Sequence, residues 1–235
     1  PNRRIKGKFD ELIKIRKFRE SIPDWMDKIG LDELGEKKWE NELNALNQKA
    51  SVIIRVNSLK TSIDKVQEIL SYEDIQTEKI KGFPDALKLV IRKNLFLTDA
   101  FKNGYFEIQD ASSQLVAPFL QIEEGMKICD VCAGAGGKTL HLSALSKNKG
   151  QIIAMDIYKN KLHELKRRAK RNNAFNIETR VIENNKPIKR LYGKIDRLLI
   201  DSPCSGLGVL KRNPGSKWNL SLEFLDKIRA TQQNI

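Results

Sequence analysis

Residues 127–145, KICDVCAGAGGKTLHLSAL, constrain the fold more than any other stretch. Ile128 and Val131 belong to a short apolar run of strand type. Gly134, Gly136 and Gly137 then allow a sharp turn with backbone N–H groups bare. Leu140, Ala144 and Leu145 resume at helical spacing, and Leu142 widens the apolar face. The pattern predicts a strand, a tight turn and a helix. Such a turn at a helix N-terminus can hold a ligand against the peptide dipoles.

Three glycine-rich sites compete for this turn. A P-loop requires G-x-x-x-x-G-K-[ST]. Gly137-Lys138-Thr139 supplies its end, but the first glycine falls at Cys132, and Thr139 has no evident magnesium-binding partner. A nicotinamide site requires G-x-G-x-x-G. Gly134 and Gly136 fit, but the third glycine falls at Thr139. The third is the S-adenosylmethionine turn of methyltransferases, in which one acidic residue opens the loop and another ends the second strand. Asp130 opens this loop, and Asp156 ends the apolar run QIIAMD, 20 residues after Gly136. A carboxylate there suits ribose hydroxyls. The plain alternative is a turn that only joins a strand to a helix.

A chain of 235 residues that is 40% hydrophobic can build one large domain or two small ones. No apolar run approaches the ~20 residues of a membrane helix, and no signal peptide is evident. The chain begins with Pro1, which suggests a piece of a longer protein. Its net charge of +13 points to a polyanionic partner, with an ordinary basic protein as the alternative. Cys129, Cys132 and Cys204 are too few for a disulfide framework. With only His141 and His163 besides, they do not suggest a zinc site, and the expectation is a reduced, cytoplasmic protein with no bound metal.

Residues 1–20 hold eight Lys/Arg, with Leu12, Ile15 and Phe18 at helical spacing. They read as a basic helix on nucleic acid or as a solvated linker helix. From residue 21 to 103 the pattern is a small α/β domain. Trp25, Met26, Ile29, Leu31, Leu34, Trp39, Leu43 and Leu46 have helical period. SVIIRV (51–56) is a strand, Thr61-Ser62 can cap a helix, and residues 75–80 and 86–91 are strand-like. Arg55 within the first strand is either an edge-strand charge or is aimed at RNA phosphate or a neighbouring domain.

Residues 104–235 form the second expected domain. Leu115, Val116, Phe119 and Leu120 give a helix face, and Glu123-Glu124-Gly125 turns into the first strand of the main sheet. Residues 158–173 form a helix with a thin apolar stripe of Leu162, Leu165 and Ala169 and seven Lys/Arg. Residues 177–182 and 195–200 add a third and a fourth strand. Near-continuous apolar strands alternating with helices predict a doubly wound parallel sheet. Asp130, Asp156, Asn184 and Asp201 then stand at strand carboxyl ends, where ligands bind in such sheets.

A second motif, Asp201-Ser202-Pro203-Cys204-Ser205-Gly206, projects a thiol near a carboxylate. DVCAGAGGKT, then MD, then IDRLLIDSPCSGLGVLKRNP with Lys217-Trp218, resembles the RNA cytosine-5 methyltransferases of the Sun/Fmu type. RVNSLKTS and GYFEIQDASSQL are similar to that family's upstream segments, so the resemblance covers roughly residues 20–235. It implies a Rossmann-like, class I methyltransferase domain preceded by a small α/β RNA-binding domain. The substrate it implies is ribosomal RNA, with transfer RNA as the other candidate.

The resemblance also implies roles. Cys132, Ala133, Gly134, Ala135, Gly136, Gly137 and Lys138 hold S-adenosylmethionine, and Asp156 grips its ribose. Asn184, or its neighbour Glu183, contacts adenine. Asp201 faces the target base and the methyl-donor site, and Lys138 helps to orient cofactor and base. Lys211, Arg212 and Lys217 suit phosphate contacts. The reaction needs a cysteine thiolate to add to carbon 6, which makes carbon 5 nucleophilic. In the family that cysteine lies on the strand after the fourth, and Cys204 corresponds to the cysteine of product release. The expectation is therefore a chain truncated after the fourth strand and inactive alone. The competing reading is a non-catalytic RNA-binding module with a vestigial cofactor site.

Overall fold

The computed structural model describes residues 3–235. In chain order the elements are α1 (Arg3–Leu12), α2 (Arg16–Arg19), α3 (Asp24–Leu34), α4 (Glu36–Leu46), β1 (Ile53–Val56), α5 (Ile63–Tyr72), β2 (Thr77–Lys79) and β3 (Ala86–Leu89). There follow α6 (Asp99–Lys102), β4 (Phe106–Ile108), α7 (Ala111–Gln114), α8 (Val116–Phe119), β5 (Lys127–Asp130), α9 (Gly137–Leu145) and β6 (Gln151–Asp156). The last are α10 (Lys159–Asn172), β7 (Ile177–Val181), α11 (Lys186–Lys189), β8 (Arg197–Leu199) and α12 (Leu222–Asn234). They gather into two compact units. One comprises the residues up to Ala50 together with Ser202–Ile235, the other Ser51–Asp201.

The first unit is helical. Ile22, Met26, Trp39 and Leu43 bury their side chains with Leu210 from the distant end of the chain. The Trp39 indole N–H donates to Asp27 Oδ1 at 2.7 Å, so the ring is both packed and satisfied. Of the α3 residues expected to face a core, Met26 is buried, whereas Ile29 and Leu34 are exposed. The expected single basic helix of residues 1–20 is two short ones among the described residues, and Leu12, Ile15 and Phe18 lie exposed. Lys217 also departs from expectation. It is buried, and its ammonium donates to the Glu20 carbonyl at 3.1 Å and Asn47 Oδ1 at 3.4 Å. It ties this unit together, so it is not free for phosphate.

The second unit holds two four-stranded sheets. The smaller has the order β2-β3-β1-β4 with every pair antiparallel. Ser62 caps α5 by accepting from the Lys65 N–H, and α5 lays Val66 and Leu70 on Ile54, Val56, Leu87 and Phe106. Phe106–Ile108, on the far side of the boundary expected at 103/104, pairs with β1. A run of three strand residues carries too little periodicity to show that pairing. β1 is consequently a central strand, and Arg55 is no edge charge. It is 1% exposed, and its Nε donates to Gln109 Oε1 at 2.6 Å. Burial lowers its pKa to about 10, and its charge reaches His141 of α9 in the neighbouring layer.

The larger sheet is parallel, in the order β7-β6-β5-β8. Its central strands are buried from both sides. Leu142 and Ala117 pack on Ile128, Ile152 and Leu199. Leu191 packs against Cys129, Ile153 and Met155. Leu162, Leu165 and Ala169, the stripe read from the sequence, lie against Leu140 and Ala154. This is the doubly wound arrangement that the pattern predicts. Of the helix face expected at residues 115–120, α8 carries Val116 to Phe119 and Leu115 falls in the break after α7; Leu115 and Phe119 are exposed and only Ala117 is fully buried. Among the described residues, no helix is long and apolar enough to cross a membrane.

Candidate functional site

The glycine turn lies at the carboxyl edge of the larger sheet, after β5. Gly136 has φ 88°, and a Cβ there would fall 2.6 Å from Leu165 Cγ, so any side chain would push α10 away. Gly134 and Gly137 face open space, with nothing within 4 Å of an added Cβ. The turn is therefore closed against α10 and open on the side where a ligand would lie. The nine-residue helix α9 begins at Gly137.

Two carboxylates brace the turn from beneath. Asp156 accepts the Gly134 N–H at Oδ2, 2.8 Å, and the Tyr158 N–H at Oδ1, 2.9 Å. The residue expected to grip a ribose thus also fixes the loop, with lone pairs left for hydroxyl donors. Asp130 is 1% exposed. Its Oδ2 accepts from Thr139 Oγ1 at 2.7 Å, while Oδ1 is buried with no hydrogen-bond partner among the described residues. Burial lifts the Asp130 carboxyl to about 6, against the Thr139 hydroxyl and the Cys132 amide, which pull it down. Thr139, committed to Asp130, is withdrawn from the magnesium role that a P-loop would give it.

Lys138, in the first turn of α9, reaches across to Asp201 after β8, with Nζ 2.6 Å from Oδ2. The two residues predicted to act on the target base are thus joined in one ion pair. Asn184 lies exposed beyond β7, and its Oδ1 accepts the Lys186 N–H at 2.9 Å. Glu183 beside it is exposed too. Cys132 is half-buried, and burial, with Asp130, Asp156 and Asp201 nearby, raises its thiol pKa. Cys204 is exposed and free. Arg168 was missed in the sequence: its Nη1 donates to the Ala135 carbonyl of the turn at 2.7 Å. It lies 33 residues beyond that carbonyl, amid a basic run, with no local signal to single it out.

A parallel sheet with a glycine turn after its first strand and carboxylates at its strand ends is the frame of a Rossmann-like methyltransferase. Within that class the chain belongs to the 16S rRNA methyltransferase RsmB/F family, whose model matches residues 117–235. A second model, the RsmF/B-like ferredoxin-like domain, matches residues 22–94. The chain is 34% identical to a probable ribosomal RNA small subunit methyltransferase B of Synechocystis, over 91% of this chain and 48% of that protein. It spans about half the length of the curated relatives it matches. Among solved structures, PH0851 superposes with a TM-score of 0.84 at 26% identity, covering 90% of this chain and 48% of the other. A methyltransferase homolog protein from Pyrococcus horikoshii gives 0.73 at 26% identity, covering 83% and 64%.

The residues present fit S-adenosylmethionine. The turn opens at two glycines that a Cβ would fill, and an orphaned carboxylate oxygen lies beneath it.

Proposed function

We propose that the protein serves the transfer of a methyl group to carbon 5 of a cytosine in ribosomal RNA, through a covalent cysteine–cytosine adduct. The observation that carries this reading is the Lys138–Asp201 pair beside the glycine turn, at the head of the Asp-Ser-Pro-Cys segment. S-adenosylmethionine, when bound, supplies an electrophilic methyl group on its sulfonium. Cys132 to Lys138 hold it, Asp156 binds its ribose hydroxyls, and Asn184 or Glu183 meets its adenine. Asp201 faces the cytosine and offsets charge that develops at ring nitrogen 3. Lys138 orients that carboxyl group through their contact at 2.6 Å.

The thiols divide by environment. Cys129 is buried, and its pKa is pushed up to about 11 by burial first and by Asp130 second. Cys132 is shifted the same way. A thiolate is the attacking species, so neither suits addition to carbon 6. Cys204 is exposed, and the reading gives it breakdown of the adduct rather than its formation. On this reading the 235 residues alone do not turn over. The net charge of +13 suits a polyanionic RNA, and three free cysteines suit a reducing cytoplasm.

Two measurements test this. Calorimetric titration with S-adenosylmethionine and S-adenosylhomocysteine should show binding that Asp156→Ala weakens more than tenfold. Absence of binding to the folded chain would favour an RNA-binding module with a vestigial site. The intact protein should release tritium from 16S ribosomal RNA labelled at carbon 5 of cytosine, in step with methyl incorporation. Methyl incorporation without tritium release would place the reaction on another atom.

A further inference from the structure

Glu107 is the most heavily engaged buried acid in the second unit. It sits on β4 opposite Arg55 of β1 and is 2% exposed. Its carboxylate accepts from Arg168 Nη2 at 2.8 Å, from Arg171 Nη2 at 2.5 Å and from Asn172 Nδ2. All three donors lie in the C-terminal part of α10. Burial opposes the charge on Glu107, but the two guanidiniums and Asn172 outweigh it, and its pKa is lowered. The smaller sheet is thereby clamped to α10 by two ion pairs and an amide hydrogen bond.

The same Arg168 guanidinium extends to the glycine turn. With Nη2 on Glu107, its Nη1 donates to the Ala135 carbonyl at 2.7 Å. A planar fork can serve two acceptors at fixed spacing, which a lysine cannot. Ala135 lies between Gly134 at φ 53° and Gly136 at φ 88°. Two flanking glycines leave this peptide little torsional restraint of its own. Its orientation depends on what holds it: Arg168 at the carbonyl end, and the Ala133 carbonyl, which accepts the Gly136 N–H at 2.9 Å. Because the peptide is planar, fixing both ends fixes the face the turn presents.

We propose that Arg168 is a positioning residue for the S-adenosylmethionine turn and that Glu107 sets its reach, so that seating of the smaller sheet on α10 tunes cofactor affinity. The proposal rests on the cofactor assignment above. It gives the smaller sheet a part in cofactor binding although, in this assignment, none of its side chains holds the cofactor.

The test uses calorimetric titration of S-adenosylhomocysteine into the chain, with urea unfolding as a separate readout of stability. Arg168→Lys keeps a charge beside Glu107 but cannot serve both acceptors, and it should weaken binding about tenfold. Arg171→Lys disturbs the same cluster with no contact to the turn, and it should weaken binding less than about twofold at a similar loss of stability. Glu107→Gln should weaken binding in the wild-type background and add nothing in the Arg168→Lys background. Should Arg168→Lys not fold, amide hydrogen exchange at residues 134–138 should still be faster in Glu107→Gln than in wild type. Equal affinity of Arg168→Lys and wild type, equal losses from both lysine variants, or unchanged exchange in Glu107→Gln would overturn the proposal. Failure of the wild-type chain itself to bind would refute the cofactor assignment, and that is read from the first titration alone.

Discussion

Lys138 Nζ lies 2.6 Å from Asp201 Oδ2, so the first turn of α9 and the loop after β8 are joined by one ion pair. The pair spans 63 residues of sequence. It is half-open to solvent, with side-chain exposures of 20% and 46%. Pairs of that exposure contribute little to folding. Lys138→Ala should therefore change the unfolding free energy by less than about 1 kcal/mol in a urea titration. Its effect should fall on the ligand instead. The variant leaves Asp201 without its cation beside the turn, and S-adenosylhomocysteine affinity should drop severalfold. A loss of more than about 2 kcal/mol in stability with unchanged affinity would make the pair a structural tie.

The site was legible because its signals are local. Gly134, Gly136 and Gly137 precede a helical run, and Asp156 closes the next apolar one, all within 30 residues of sequence. The strand ends that place Asp130 and Asp201 follow from hydrophobic runs alone. What was illegible is long-range. Glu107 meets Arg168 across 61 residues, and Lys217 meets Glu20 across 197. A buried charge and a solvated one have the same letter, and only the fold tells them apart. β4 belongs with these cases: three residues cannot announce that β1, about 50 residues earlier, is their partner.

Between pH 6.5 and 4, acid should act on this protein chiefly through two buried groups of opposite sign, because the lowered pKa of buried Glu107 takes effect only below 4.5. His141 is 3% exposed with Nδ1 unpartnered among the described residues, and burial, then the charge of Arg55, lowers its pKa from 6.5 to about 3. The unfolded chain therefore binds the extra proton between those values, and stability falls as pH drops below 6.5. Asp130 runs the other way. Burial raises it from 3.8 to about 6, the folded chain binds the extra proton, and stability falls as pH rises through that window. At 1.36 kcal/mol per pKa unit these terms are roughly 5 and roughly 3 kcal/mol, so the histidine dominates. Wild type should lose stability from pH 6.5 to pH 4, whereas His141→Gln should hold or gain it through the Asp130 window. Identical slopes for both proteins in urea unfolding at stepped pH would exclude His141 as the source.

Lys217 supplies a sharp contrast between motif and placement. The family resemblance makes it suited to phosphate contact, yet its ammonium lies against the Glu20 carbonyl and Asn47. Burial depresses its pKa, and Glu20 only partly restores it. Lys217→Met should leave the affinity for ribosomal RNA and its salt dependence unchanged, because no phosphate contact is lost. A phosphate-binding lysine would instead shift the slope of log affinity against log salt by about one. Filter binding at stepped salt separates the two outcomes.

Gly104, two residues before β4, lies against the backbone of α10. It has φ 68°, and a Cβ there would fall 2.2 Å from the Arg171 carbonyl oxygen. The same carbonyl accepts from Lys60 Nζ at 3.1 Å, while Asn57 Nδ2 donates to both Gly104 O and Asn172 O at 2.9 Å. Gly104→Ala thus meets two penalties, a strained left-handed backbone and a clash with main chain that cannot rotate away. The helix would have to move, and with it the hydrogen bonds of Asn57 and Lys60. The expected cost is about 2–4 kcal/mol in urea unfolding, whereas glycine to alanine at an unconstrained site would be neutral or stabilising by up to about 1 kcal/mol. Because Arg168 shares α10, the same variant should also weaken S-adenosylhomocysteine binding under conditions where it remains folded. A Gly104→Ala protein with wild-type stability would mean that α10 and the smaller sheet do not approach as closely as their backbone atoms indicate.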